Sequence, residues 1–196
     1  MEHFNPLLLC GEQAALPLSN WIDCNPMSIY PMYPDLELNF DWVKIKSLYG
    51  IHMILEGKSS KVNKWLSQFE SLPRLSGINK LQEIANIEYR NYLLTFSDGF
   101  KILVWGSAIT PVQKNMLKGL NPDVAIIQAT GQANDPEAFA DFVFAIGAKT
   151  VIPHHQDIND SEDIWMPRMV ALQSAISKCS KNQNFLILKH GEWVDL

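Results

Sequence analysis

The chain has 196 residues and a mass of 22.2 kDa, with 47% hydrophobic, 10% aromatic and 19% charged residues and a formal net charge of −5. A single domain over residues 1–196 is expected, and a chain of that length buries roughly 70% of its unfolded surface, so neither disulfides nor a structural metal is needed to hold it together. The apolar fraction argues against disorder, the mild acidity without a basic run argues against nucleic acid as the main partner, and no apolar stretch reaches the ~18 residues of a membrane-spanning helix.

The three cysteines, Cys10, Cys24 and Cys179, form no C-x-x-C pair and read as free thiols of a reducing, cytoplasmic compartment. The run Leu7-Leu8-Leu9-Cys10-Gly11 imitates a lipoprotein cleavage site only superficially. Residues 1–5 contain Glu2 and no cationic residue, and the apolar run is short, so no signal peptide is expected.

Pro6, Pro17, Pro26, Pro31 and Pro34 punctuate the N-terminal third and predict short strands there rather than long helices. The candidate strands are Leu7–Cys10, a run near Met27–Met32, Leu36–Phe40 and Trp42–Tyr49. In the last, Val43, Ile45 and Tyr49 alternate with Lys44, Lys46 and Leu48, and the run leads into Gly50-Ile51-His52. Residues 59–71 have an amphipathic pattern, with Val62, Trp65, Leu66 and Phe69 on one face, Ser59 or Ser60 as cap and Pro73 as stop. A hairpin follows, Tyr92–Phe96 and Phe100–Trp105 around Asp98-Gly99, for which a tight primed turn is predicted.

The second half is more regular. Thr110, Pro111 and Gln113 make a capping box for a helix that Gly119 closes, and the strand Asp123–Gln128 follows. Asp135 and Pro136 open another helix, with Phe139, Phe142, Val143 and Ile146 on its apolar face and Gly147 as stop. Strand Lys149–Ile152 then ends at Pro153-His154-His155. A third helix from about Pro167 to Cys179 and two closing strands, Phe185–Leu188 and Trp193–Leu196, complete the pattern. Strands alternating with helices imply parallel pairing in this half, and the earlier strands are expected to be antiparallel.

Ligands in open α/β sheets collect beyond the carboxyl ends of the strands. The predicted strand ends deliver His52, Ser107, Gln128–Gln132 and His154/His155 to one edge, with Asp157 close to the last pair. Neutral imidazoles on separate strand ends suit zinc, iron or nickel, but a catalytic zinc site takes three protein ligands and a structural one four. Ser107 is a poor ligand unless deprotonated, and Asp157 serves only if its loop folds back. A pair of histidines so placed is more often structural than ligating. No G-x-G-x-x-G, P-loop or G-x-S-x-G motif is present.

The order of these features resembles the C-terminal part of the metallo-β-lactamase fold, closest to its sugar-lactonase-like metal-dependent hydrolases. It runs from a strand leading to His52, through the Asp98-Gly99 hairpin, a strand ending in Gly106-Ser107, a capped helix and Pro122–Ile127, to a helix and Val151-Ile152-Pro153-His154-His155. The resemblance implies a partial αββα sandwich with mixed β-sheets and flanking helices, and a one- or two-metal centre of zinc, manganese or iron. There a metal-bound hydroxide attacks a lactone, ester, amide or phosphoester. By position, His52 and His155 match metal ligands, with His154 as alternative, and Ser107 stands where the family has its bridging Asp. The family's H-x-H-x-D-H motif is absent, since His3 is the only histidine before His52. The resemblance therefore implies a fragment, a split subunit or a degenerate member, with metal sub-stoichiometric or absent. Its incomplete sheet would be covered by a second copy or a partner chain. The function expected is that of a metal-dependent hydrolase-like protein inactive or weakly active alone; the alternative is a non-catalytic binding or assembly module using the former active-site edge.

Overall fold

A computed structural model describes residues 6–21, 28–50, 89–107, 109–129, 135–155, 161–180, 182–189 and 191–195. Nine strands and four helices are defined among them: β1 (Leu8–Gly11), α1 (Glu12–Trp21), β2 (Ile29–Met32), β3 (Glu37–Asn39), β4 (Val43–Gly50), β5 (Tyr89–Phe96), β6 (Lys101–Trp105), α2 (Pro111–Leu117), β7 (Val124–Gln128), α3 (Pro136–Ile146), β8 (Thr150–His154), α4 (Glu162–Cys179) and β9 (Asn184–Phe185). The helix predicted over residues 59–71 lies outside the described residues.

Strands β3 to β9 form one seven-stranded sheet in sequence order. Pairing is antiparallel from β3 to β6 and parallel from β6 to β9, which makes a mixed sheet with flanking helices, the expected α/β class. β1 and β2 form a separate two-stranded sheet and are parallel, not antiparallel as expected. The difference comes from α1, which returns the chain between them in the manner of a crossover. Proline punctuation hid this helix. Its ten residues include Pro17, and a proline inside so short a helix costs one backbone hydrogen bond without preventing the turns on either side.

One face of the large sheet is the core. Leu93, Leu103, Trp105, Ala125, Ile127 and Val151 alternate inward and meet Phe139, Phe142, Val143 and Ile146 of α3 and Met169, Leu172 and Ile176 of α4. The four α3 residues named from their spacing are all at most 1% exposed. At about 25 cal/mol per Å² of apolar surface, such side chains stabilise by about 1.5–3 kcal/mol each, which is why the period of 3.6 dominates this segment. Both predicted caps form: Thr110 Oγ1 accepts from Gln113 N at 3.3 Å, and Asp135 Oδ1 accepts from Ala138 N at 3.0 Å. Gly147, left-handed at φ 70°, ends α3.

Three further predictions are corrected. The hairpin loop is Ser97-Asp98-Gly99, three residues rather than a two-residue primed turn. Gly99 N donates to Phe96 O at 2.9 Å, and only Gly99 is left-handed, at φ 87°, the form in which a bulge follows an ordinary turn. Helix α4 begins at Glu162, well before Pro167, because Ser161 and the acidic pair Glu162 and Asp163 favour a helix start and the proline sits on an exposed surface. The closing strand shortens to β9, and residues 191–195 form no strand; Trp193 is 97% exposed, so no burial rewards extension there. Among the described residues no helix is long and apolar enough to cross a membrane.

The second face of the sheet receives the β1–β2 unit. Arg90 of β5 is 2% exposed at its side chain; its guanidinium donates to both Glu12 carboxylate oxygens at 2.7 Å, and its Nε donates to Met32 O at 3.0 Å. Two charge-assisted bonds and a backbone acceptor thus fasten the N-terminal segment to the sheet.

Candidate functional site

Because β4 and β5 are antiparallel, and β5 and β6 are antiparallel, β4 runs parallel to β6, β7 and β8. The carboxyl ends of these four strands therefore share one edge: Gly50, Gly106-Ser107, Gln128-Ala129 and His154-His155. The edge expected from the sequence exists for Ser107, Gln128, His154 and His155. His52, two residues beyond Gly50, and Asp157 lie outside the described residues, as do residues 130–132.

At the β4–β6 end the side chains make a closed polar knot. Asn91, on β5, places its amide between the two neighbouring strands. Its Nδ2 donates to Ser107 Oγ at 2.8 Å, Ser107 Oγ donates back to Asn91 Oδ1 at 3.2 Å, and Gly106 N donates to the same oxygen at 2.8 Å. Asn91 and Ser107 are each 1% exposed. Most buried polar groups in folded proteins are hydrogen-bonded, and here the two side chains bond each other. Gly50 makes room for the knot. A Cβ at this position would collide with Ser107 Oγ and Asn91 Nδ2 and would stand 2.8 Å from Ser107 Cβ. The sequence reading did not single out Asn91. The available signal was its phase: Asn91 shares the core-facing side of β5 with Leu93, where a polar residue needs a partner.

At the β7–β8 end, His154 is half-buried, and its Nε2 lies 3.2 Å from Trp105 O. Ala129 N donates to His154 O at 2.8 Å and ties the end of β7 to that of β8. Burial pushes the His154 imidazole below its ordinary pKa; the Trp105 carbonyl opposes this shift and His155 adds to it. His154 is therefore neutral at pH 7, with the nitrogen on Trp105 O carrying its proton. His155 is exposed and adopts φ 62°, a left-handed backbone that costs a non-glycine residue on the order of 1 kcal/mol or more. Its ring stands edge-on to that of His154 with centroids 5.4 Å apart.

Ser107 Oγ is neutral and buried, accepting from Asn91 Nδ2 and donating to Asn91 Oδ1, so it supplies neither the charge nor the two free lone pairs of a bridging ligand. Among the described residues no group of three or more His, Cys, Asp or Glu is placed to hold an ion. These described residues alone do not fit a metal centre. Elsewhere, burial pushes the Cys10 thiol and the nearby Tyr92 phenol up, so both stay protonated.

The fold and edge define a mixed α/β protein with a polar strand-end cluster. No protein-family model matches the chain, and no curated protein matches it. Among solved structures it is similar to the metallo-β-lactamase fold protein YhfI from Bacillus subtilis, at 12% identity and a TM-score of 0.46, over 84% of this chain and 53% of that one. The chain thus spans about half the length of that protein.

Proposed function

We propose that the chain is a metallo-β-lactamase-like scaffold whose ligand edge has become neutral, and that it acts as a non-catalytic binding or assembly module through that edge. The observation that carries this reading is the Asn91–Ser107 knot over Gly50. The order of strand-end motifs resembles that of the family, where an acidic residue at the position of Ser107 bridges the metals. An aspartate there would add a charge and a longer side chain to a space already filled by the Asn91 amide. Two neutral side chains bonded to each other hold the strand ends in place and present nothing to a cation.

In the same reading, a second copy or a partner chain completes the cover of the second sheet face. Leu94, Ile102, Val104, Ile126 and Ile152 are half-buried there. A second, catalytic reading is favoured by one observation, the proximity of His154 and His155 at the β8 end. In it, His52 and Asp157 or another chain would complete the ligand set, and the bound dication would lower the pKa of water to about 7.

The discriminating experiment measures hydrolysis of p-nitrophenyl esters and a γ-lactone with added zinc or manganese. The non-catalytic reading expects the same background rate for the protein and for His155→Ala. A metal-dependent rate that disappears in His155→Ala overturns it.

A further inference from the structure

We infer that the pocket between α2 and strands β4 to β6 binds a free α-amino acid with an apolar side chain, of which leucine is the type. The cavity measures about 140 Å³, and Leu48, Leu93, Met116, Leu117 and Leu120 form its apolar walls. Two residues of opposite charge, Lys46 and Asp35, also line it and pair with each other at 3.4 Å. Among the described residues no other charged side chain lines it.

Local structure sets both charges beside the apolar walls. Lys46 stands directly opposite Leu93 in the β4–β5 pair, so it shares the core-facing side of the sheet with Leu93 and, two residues on, with Leu48. A lysine on such a face covers apolar surface with its stem and keeps its ammonium in water, and the Lys46 side chain is 35% exposed. Asp35 comes from the turn before β3. Its N–H donates to Ser47 O and Ser47 N donates to Leu36 O, each at 2.9 Å, which ties that turn to the residue next to Lys46. Asp35 holds a left-handed backbone at φ 61°, a conformation that aspartate adopts more readily than most residues and that persists where the surroundings impose it.

Charge and size select the ligand. An anion that takes Lys46 faces the Asp35 carboxylate, and a cation that takes Asp35 faces the Lys46 ammonium. A zwitterion pairs its carboxylate with Lys46 and its ammonium with Asp35, so that charges of alternate sign close a ring. The neighbouring Glu37 is held by Lys44 at 3.5 Å and leaves this balance intact. The Asp35 side chain is 76% exposed, so its pair with Lys46 is worth little by itself and opens to admit the ligand at small cost. An apolar cavity of about 150 Å³ admits a six-carbon ring, so the volume here suits a side chain of about four to six non-hydrogen atoms, set against the leucines.

The test is a titration of the full chain, ¹³C-labelled at its methionine methyl groups, with unlabelled L-leucine, read at the Met116 signal that Met116→Leu assigns. A saturable shift is expected. Isocaproate, which lacks the ammonium, and leucinol, which lacks the carboxylate, bind roughly three- to tenfold more weakly, and glycine, which lacks the side chain, leaves the signal in place. Lys46→Gln and Asp35→Asn each weaken the affinity for leucine by a similar factor. Asparagine tolerates the left-handed turn, and either variant suffices should the other fail to fold. The inference is overturned if leucine does not saturate the Met116 signal, if isocaproate, leucinol or glycine equals leucine, or if a folded variant binds leucine as tightly as the unsubstituted protein.

Discussion

Gly50→Ala tests the geometry of the strand-end knot most sharply. The new methyl group meets Ser107 Oγ and Asn91 Nδ2 and lies 2.8 Å from Ser107 Cβ, while pairing with Tyr89 of β5 holds the Gly50 backbone in place. Overpacking of a filled site costs about 1–3 kcal/mol. Displacing the Asn91 amide breaks its bond to Ser107 in a place without water, and an unmet buried donor adds about 1–3 kcal/mol. A combined loss of about 3–4 kcal/mol corresponds to a fall in Tm of roughly 6–16 °C for a domain of this size. Urea unfolding followed by circular dichroism, with unchanged slope, gives the value directly. The cycle with Ser107→Ala adds a second constraint. Removing Oγ takes away one of the two colliding polar atoms, so the double variant is expected to be less destabilised than the sum of the singles by about 1 kcal/mol. A cost below about 1 kcal/mol for Gly50→Ala, or strict additivity in the cycle, would refute the reasoning.

Two other perturbations follow from the same structure. Glu12→Gln leaves Arg90, 2% exposed at its side chain, facing a neutral amide; because Glu12 itself is 23% exposed, the expected loss lies at the lower end of the range for a broken buried pair, about 3 kcal/mol. Limited proteolysis should then cut within residues 6–32 first, and unchanged urea stability and cleavage pattern would contradict the anchoring role. For His154 the folded pKa is depressed by burial. The folded protein binds fewer protons than the unfolded chain, so this contribution to stability is full above the ordinary imidazole value of about 6.5 and is lost as pH falls from there through the folded pKa. Urea midpoints measured from neutral to mildly acidic pH should fall less steeply for His154→Gln than for the unsubstituted protein, and parallel curves would contradict the assignment.

Much of the right half of the molecule was legible because single physical rules dominate it. The α3 face follows the helical period, Asp135-Pro136 and Thr110-Pro111 mark helix starts, and Gly147 takes a left-handed stop, so each local preference agrees with the final packing. The left half was harder. Pro17 forbids a regular interior hydrogen bond, yet α1 forms, because its placement depends on docking through Glu12 and Arg90, residues 78 apart in sequence. The same holds at the site. Strand ends place Ser107, His154 and His155 by topology alone, and the hairpin makes β5 the neighbour of β6, whereas Asn91 lies in the three residues by which β5 extends before the predicted start at Tyr92. The turn at Asp98-Gly99 shows the limit in miniature: the dipeptide marks a reversal, but the register of β5 on β6 decides that Ser97 joins the loop.

The proposal of a neutral, non-ligating strand edge is tested most directly by elemental analysis of the protein purified without chelator, alongside His155→Ala. Zinc, manganese and iron together well below one per chain, with no difference between the two proteins, is the expected result. One bound metal per chain that is lost in His155→Ala would contradict it.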